Sequence, residues 1–278
     1  MSHSESKIKA LISLLDDEDI EIMGHVNKEI MSIGDSMIPF LEDEWGKNFN
    51  PIVQKRIEDM IHQLHFENLK GALESWKEGG ADDLMQGMWL IACYQYPDLE
   101  FNKIKESIEQ LYYQVWPDMK EGLAPMEQVK LLNNAFFGKL KFGANTKNFH
   151  SPSNSMINCV IESKKGNPIS LCVLYYEIAR RLNLPVYGVN LPNLFILTYK
   201  DENTQFYINA FNKGLVFTKD DIDNYISQLN LAKHDMFYNP CSNIDIVTRA
   251  LRNLVVSFEK LGDTERVNEI NLLLSVLS

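Results

Sequence analysis

Cysteine is scarce. The chain holds four, Cys93, Cys159, Cys172 and Cys241, and no two stand in CxxC spacing. That excludes a zinc site built on cysteine pairs and a disulfide framework, and leaves each thiol to act as a small apolar side chain. Long apolar runs are missing as well: none approaches the ~20 residues that span a bilayer. The opening stretch MSHSESKIKALISLL lacks the basic start and apolar block of a secretory signal. There is no P-loop, dinucleotide-binding glycine fingerprint, HExxH or GxSxG, so the usual nucleotide, zinc-protease and serine-hydrolase machinery is not recognisable. These absences set the expectation of a cytoplasmic chain with no cofactor, no metal and no membrane association.

Positive charge is also thin where the chain begins. Residues 1–125 carry 11 Lys/Arg against 24 Asp/Glu, whereas residues 126–278 carry 16 against 14. An acidic front half repels nucleic acid and anionic lipid, so neither is expected as a partner. Its charges read as the solvated faces of helices. The aromatic residues Tyr112, Tyr113, Phe136, Phe137, Tyr175 and Tyr176 have no basic stripe beside them, and read as core rather than a stacking platform.

What is present is mostly helical periodicity, then strands. Ile8, Leu11, Ile12 and Leu15 repeat at helical spacing. A second helix carries Ile22, Val26, Ile30 and Ile33 and ends on Gly34. MIPFLEDEW starts another helix, and IVQKRIEDMIHQL and ENLKGALESWKEGG read as a further helix pair. Pairs at this spacing are similar to HEAT-type repeats. Phe101, Ile104, Ile108, Leu111 and Val115 form one stripe, closed by Trp116-Pro117. PDMKEGLAP, residues 117–125, is polar with two prolines and a glycine, and is the candidate linker.

Beyond it the texture changes. A helix (126–142) runs into an Asn/Ser-rich loop, and a short helix ends at Gly166. In KKGNPISLCVLYYEIARRLNLP, Asn167 suits an N-cap and Pro168 the first helical position, where a missing N–H costs nothing. The nearly continuous apolar content that follows makes this a central, buried helix. PVYGVN, LFILTYK, QFYINAF and LVFT are short, β-branched or aromatic segments with turn residues between them, so they form an antiparallel meander. KDDIDNYISQL is helical. The tail is a helix, a Gly262-Asp263 turn and a second helix, similar to a tetratricopeptide hairpin.

The segment from 151 onward, SPSNSMINCVIESKKGNPISLCVLYYEIARRLNLPVYGVNLPNLFILTY and then YINAFNKG, resembles the transglutaminase-like domain of the SirB family of bacterial proteins. Carrying the resemblance are Asn154-Ser155, Gly166 to Leu171, Ala179 to Leu182, and Phe211 to Gly214. It covers residues 126–278, because RALRNLVVSFEKLGD also fits the family's terminal hairpin. The resemblance implies a transglutaminase-like core at 126–238 with its central helix on an antiparallel sheet; with the helical, HEAT-like domain read at 1–120 and the tetratricopeptide-like hairpin at 239–278, the expected fold is α+β.

The wider superfamily works through a Cys–His–Asp triad. A thiolate at a helix N-terminus is favoured by the helix dipole, a strand-borne His acts as base, and an acid orients it. The resemblance puts Pro168, Leu194 and Asn209 at these three positions. The SirB branch typically has proline for the thiol but often keeps the His and the Asp. Proline cannot attack, leucine cannot take a proton, and asparagine cannot stabilise an imidazolium by charge.

Three readings follow. The chain is a non-catalytic interaction or regulatory module with an unknown protein partner. Or it is a cysteine-dependent amide- or acyl-transfer enzyme relocated to Cys172, one turn into the helix, with His150 or His234 as base. Or it keeps the old cleft as a small-ligand pocket lined by Asn167, Pro168, Asn193, Leu194 and Asn209. A thiol in mid-helix among apolar residues has a raised pKa, which weighs against the second. Lys164, Lys165, Arg180 and Arg181 sit near helix ends, where they complement the dipole rather than form a phosphate site.

Overall fold

A computed structural model describes residues 5–120 and 122–278. The chain divides into two compact units, residues 1–72 and 73–278. Residues 1–4, within the stretch read for a secretory signal, and Glu121 of the linker 117–125 lie outside the described residues.

The first unit is helical. Helix α1 (Glu5–Ser13) buries Ile8 and Leu11. Helix α2 (Ile20–Ile33) begins where the Asp19 carboxylate accepts from Glu21 N at 2.8 Å, and stops at Gly34, which takes φ 77°. Such a left-handed stop suits glycine. Helix α3 (Ile38–Lys47) contributes Leu41, and helix α4 (Pro51–Glu78) contributes Val53, Ile57 and Leu64, to one apolar core. The expected pair of helices across 52–80 is therefore corrected to one helix of 28 residues. No Pro or Gly falls between Ile52 and Lys70, and the buried stripe passes from Leu64 to Leu69 and Leu73 without interruption.

In the second unit, helix α5 (Leu84–Cys93) is buried on nearly every side. Asp83 caps it, accepting from Gln86 N at 3.1 Å. Gly87 lets it approach Trp76 and Val247, since a Cβ there would lie 2.7 Å from each. Helix α6 (Phe101–Val115) buries Ile104, Ile108, Leu111 and Val115, the expected stripe, and ends in a 3-10 turn at Trp116–Asp118. Tyr113 departs from the core reading: it is 59% exposed and donates to Glu109. Helix α7 (Pro125–Asn133) continues into a π-turn at Asn134–Lys139.

A two-residue parallel pair, β1 (Gly143–Ala144) with β2 (Lys165–Gly166), flanks helix α8 (Ile157–Ser163). Helix α9 (Pro168–Arg181) is the hub, packed against α5, α6, α8, the sheet and the later helix α11 (Asn243–Leu261). The sheet is an antiparallel meander of β3 (Val186–Leu191), β4 (Leu194–Lys200), β5 (Gln205–Asn209) and β6 (Leu215–Phe217). Side chains alternate between its faces. Val189, Leu191, Ile196 and Tyr207 pack with Ile222 and Ile226 of helix α10 (Lys219–Gln228). Phe195 and Asn190 belong to the opposite face, where Cys172 Sγ lies 3.7 Å from Phe195 O and Arg249 donates to Asn190. Helix α12 (Thr264–Leu277) folds back on α11 after Gly262 at φ 74°.

The architecture is α+β, with a central helix on an antiparallel meander. The unit boundary falls after Ala72, not in the tract 117–125. Helices α5 and α6 pack on α9, so residues 73–120 belong with the sheet. Residues 239–278 join the same unit: α11 packs on α5 and α9, and Cys241 N donates to Gly188 O in β3 at 2.9 Å. No helix among the described residues is long and apolar enough to cross a membrane.

Candidate functional site

The start of α9 is held by a buried polar network. Asn167 Oδ1 accepts from Ser170 N at 2.9 Å, capping the helix. Its Nδ2 donates to Ser155 Oγ at 2.9 Å. Next to Ser155, Asn154 accepts from Asn145 at 2.8 Å and donates to the carbonyls of Asn148 and Phe149 at 2.7 and 3.0 Å. Asn154, Ser155, Asn167 and Ser170 are all buried. Buried polar atoms demand partners, and here they supply one another. The Asn154-Ser155 and Gly166-to-Leu171 motifs thus tie the loop 145–155 to the helix start. Gly166 is required by the same closeness: a Cβ there would sit 2.4 Å from Ser170 Oγ and 2.9 Å from Val160.

Above this helix start lies a hollow of about 160 Å³. Pro168, Ile169 and Asn167 form its floor, and Asn193 and Phe195 come from the β3–β4 turn and β4. Phe149 and His150 form one rim. The far wall is α11, through Arg249, Asn253, Val256 and Ser257, which share one helical face. No aspartate or glutamate lines the hollow among the described residues.

The structure therefore brings Asn167, Pro168 and Asn193 together and leaves Leu194 and Asn209 outside. Leu194 packs with the cluster on the α10 face of the sheet. Its neighbour Phe195 takes the place over the helix. The reason is the period of two: the turn at Pro192-Asn193, with Asn193 at φ 58°, pairs Leu191 with Leu194 and sets both on the α10 side. Asn209 ends β5 opposite Leu215, and its side chain caps a 3-10 turn by accepting from Asn212 N at 3.0 Å.

Cys172 lies wholly buried one turn below the hollow, and burial pushes its thiol pKa well up from the ordinary value. It does not line the hollow, whereas His150 does. His234 is exposed, with its ring 5.6 Å from Phe237, a member of the α10-face cluster. A buried, un-ionised thiol has neither the charge nor the access that nucleophilic attack requires. Arg180 and Arg181 are engaged by the buried carboxylate of Glu177, at 2.7 and 3.1 Å. Lys164 sits over the Phe142 ring at 4.7 Å. No group of three or more His, Cys, Asp or Glu among the described residues could hold a metal ion.

Sequence reading missed the α11 wall. The signal was there: positions 249, 253, 256 and 257 follow helical spacing, with Arg, Asn and Ser on one face of an otherwise apolar-faced helix.

The profile of the transglutaminase-like superfamily matches residues 102–252, which include the meander, α9 and the hollow's residues up to Arg249. The chain belongs to this superfamily. Among curated proteins, this transglutaminase-like chain is 30% identical over 178 residues to a UPF0162 protein of Xylella fastidiosa strain 9a5c, covering 62% of the chain and 63% of the relative. A UPF0162 protein of Pasteurella multocida is 30% identical over 34% of the chain and 36% of its own length. The human F-box only protein 21 is 28% identical over 50% of the chain and 22% of its own length. The matched stretch thus spans less than two thirds of each of these relatives. No solved structure matches the chain.

Proposed function

We propose that this chain is a non-catalytic transglutaminase-like protein that acts by binding, as an interaction or regulatory module. The observation that carries the reading is the start of α9. Proline stands where the superfamily's chemistry needs a thiolate, and the nearest thiol, Cys172, is buried and held protonated. The polar network around Asn167 keeps the start of α9 tied to the loop before it, with no thiol lining the hollow among the described residues. Large apolar side chains on the first unit support a protein partner: Phe40, Trp45, Phe49 and Ile52 are exposed, Phe49 by 92%. Within the superfamily we place the chain in the SirB branch, with HEAT-like pairing of its first helices, a tetratricopeptide-like α11–α12 hairpin and a cytoplasmic location.

The test is turnover. The full chain and its Cys172→Ala variant are incubated with glutamine-containing peptides plus an alkylamine, and with a thioester. Both are expected to match buffer alone. Turnover by the parent chain that disappears in Cys172→Ala would establish the relocated cysteine enzyme instead.

A second reading has its own observation: the hollow above Pro168 persists, open and lined by polar side chains. A small ligand held there is compatible with a regulatory role.

A further inference from the structure

We propose that the hollow above Pro168 binds a small carboxylate with an apolar body, through Arg249. This rests on the ligand-binding reading of that hollow. Arg249 is half-buried in the wall of α11, and no carboxylate pairs with it among the described residues. Its Nη1 donates only to neutral acceptors, Asn190 Oδ1 at 3.1 Å and Leu191 O at 3.4 Å. These two bonds fix the guanidinium while leaving Nε and Nη2 without an acceptor among the described residues. A charge drawn out of water is normally paired. Burial, with the neighbouring Arg252, works against this charge, and an arriving anion would relieve both.

The rest of the hollow agrees with an anion in sign and with a carboxylate in size. In a chain of net charge −11, no acid lines this hollow. Its floor is the positive end of α9, where the Ile169 N–H has no acceptor within the helix. Asn193 and Asn253 add neutral polar groups. Phe149, Phe195 and Val256 supply apolar walls for the body of the ligand, which inorganic phosphate would not use. A volume of about 160 Å³ admits one side-chain-sized group, not a nucleotide. A planar guanidinium fork matches a carboxylate through two parallel hydrogen bonds. Two sources offer this chemistry: a free carboxylic acid, or the C-terminal carboxylate of a peptide.

The experiment is calorimetric titration of the full chain with 3-phenylpropanoate, 3-phenylpropanamide, inorganic phosphate, and a pentapeptide ending in phenylalanine as free acid or amide. The proposal expects 3-phenylpropanoate to bind at least tenfold more tightly than its amide and than phosphate. It expects Arg249→Gln to abolish that preference and Arg249→Lys to weaken binding severalfold. Val256→Trp, at an exposed rim position, is expected to block binding while preserving the fold. A free-acid peptide binding tighter than 3-phenylpropanoate identifies a peptide terminus as the source, and the reverse identifies a free acid. Equal binding of acid and amide, blocked by Val256→Trp, overturns the carboxylate proposal and leaves the ligand-binding reading standing. Absence of binding by every probe overturns both.

Discussion

Asn167 shows how a single residue can hold two elements at once. One side of its amide caps α9 and the other reaches Ser155, so it serves helix and loop together. Asn167→Ala removes both bonds and leaves a buried Ser155 hydroxyl without its donor. The expected cost is about 1–3 kcal/mol, read as a lower urea midpoint at unchanged slope. Asn167→Asp keeps the cap but loses the donor to Ser155, and should fall between. Cys172 gives the complementary prediction. In native protein, iodoacetamide should label Cys93, Cys159 and Cys241, all partly buried, before Cys172, which is wholly buried. Mass spectrometry should find Cys172 unmodified until denaturant unfolds the chain. Early labelling of Cys172, with a midpoint below that of a free thiol at about 8.5, would sink the non-catalytic reading.

At the scale of elements, what the sequence made legible follows from signals that are local. The α9 start, the α6 stripe, the four meander strands and the Gly262 turn all carry caps, periods or turn residues that act within a few positions. What was not legible depends on contacts made far along the chain. Leu194 was placed in the cleft by motif position, but strand pairing with Leu191 turns it to the other face. The polar stripe on α11 is visible in the sequence, but it reaches the site only because the tail packs back on α9, a contact made far along the chain. Reading 52–64 and 67–80 as two helices failed because the residues between them, His65-Phe66, include neither Pro nor Gly and the helix runs through them. Hydrogen exchange decides that point. Amides of residues 60–69 should be protected as one continuous helix, whereas a fast-exchanging segment at 65–67 would restore the pair. Gly166→Ala tests close packing between elements. Its Cβ would collide with Ser170 Oγ and Val160, so a loss of about 1–3 kcal/mol is expected, with only partial rescue by adding Ser170→Ala.

Across the whole molecule, buried protonated groups give the fold a dependence on alkaline pH. Burial raises the thiols of Cys93 and Cys241 to about 12, well above the ordinary thiol value, the charge of Asp245 adding to the effect at Cys241. Burial also raises Tyr94, reinforced by its bond to Glu269, and both Cys172 and Tyr175. An unfolded chain releases these protons near pH 9–10, while the folded chain keeps them. Between those values and about 12 the unfolded state binds fewer protons, so stability must fall as pH rises. Below about pH 8 the groups are protonated in both states and their contribution is complete. Urea midpoints are therefore expected to be level from about pH 6 to about pH 8 and to decline steadily above it. In a Cys93→Ala/Cys241→Ala double variant the neutral-pH midpoint should be lower, because two packed side chains are truncated. Its decline from pH 8.5 to 11 should nonetheless be shallower, because two of the retained protons are gone. A decline as steep as the parent's would show that the thiols are accessible to solvent and ionise alike in both states.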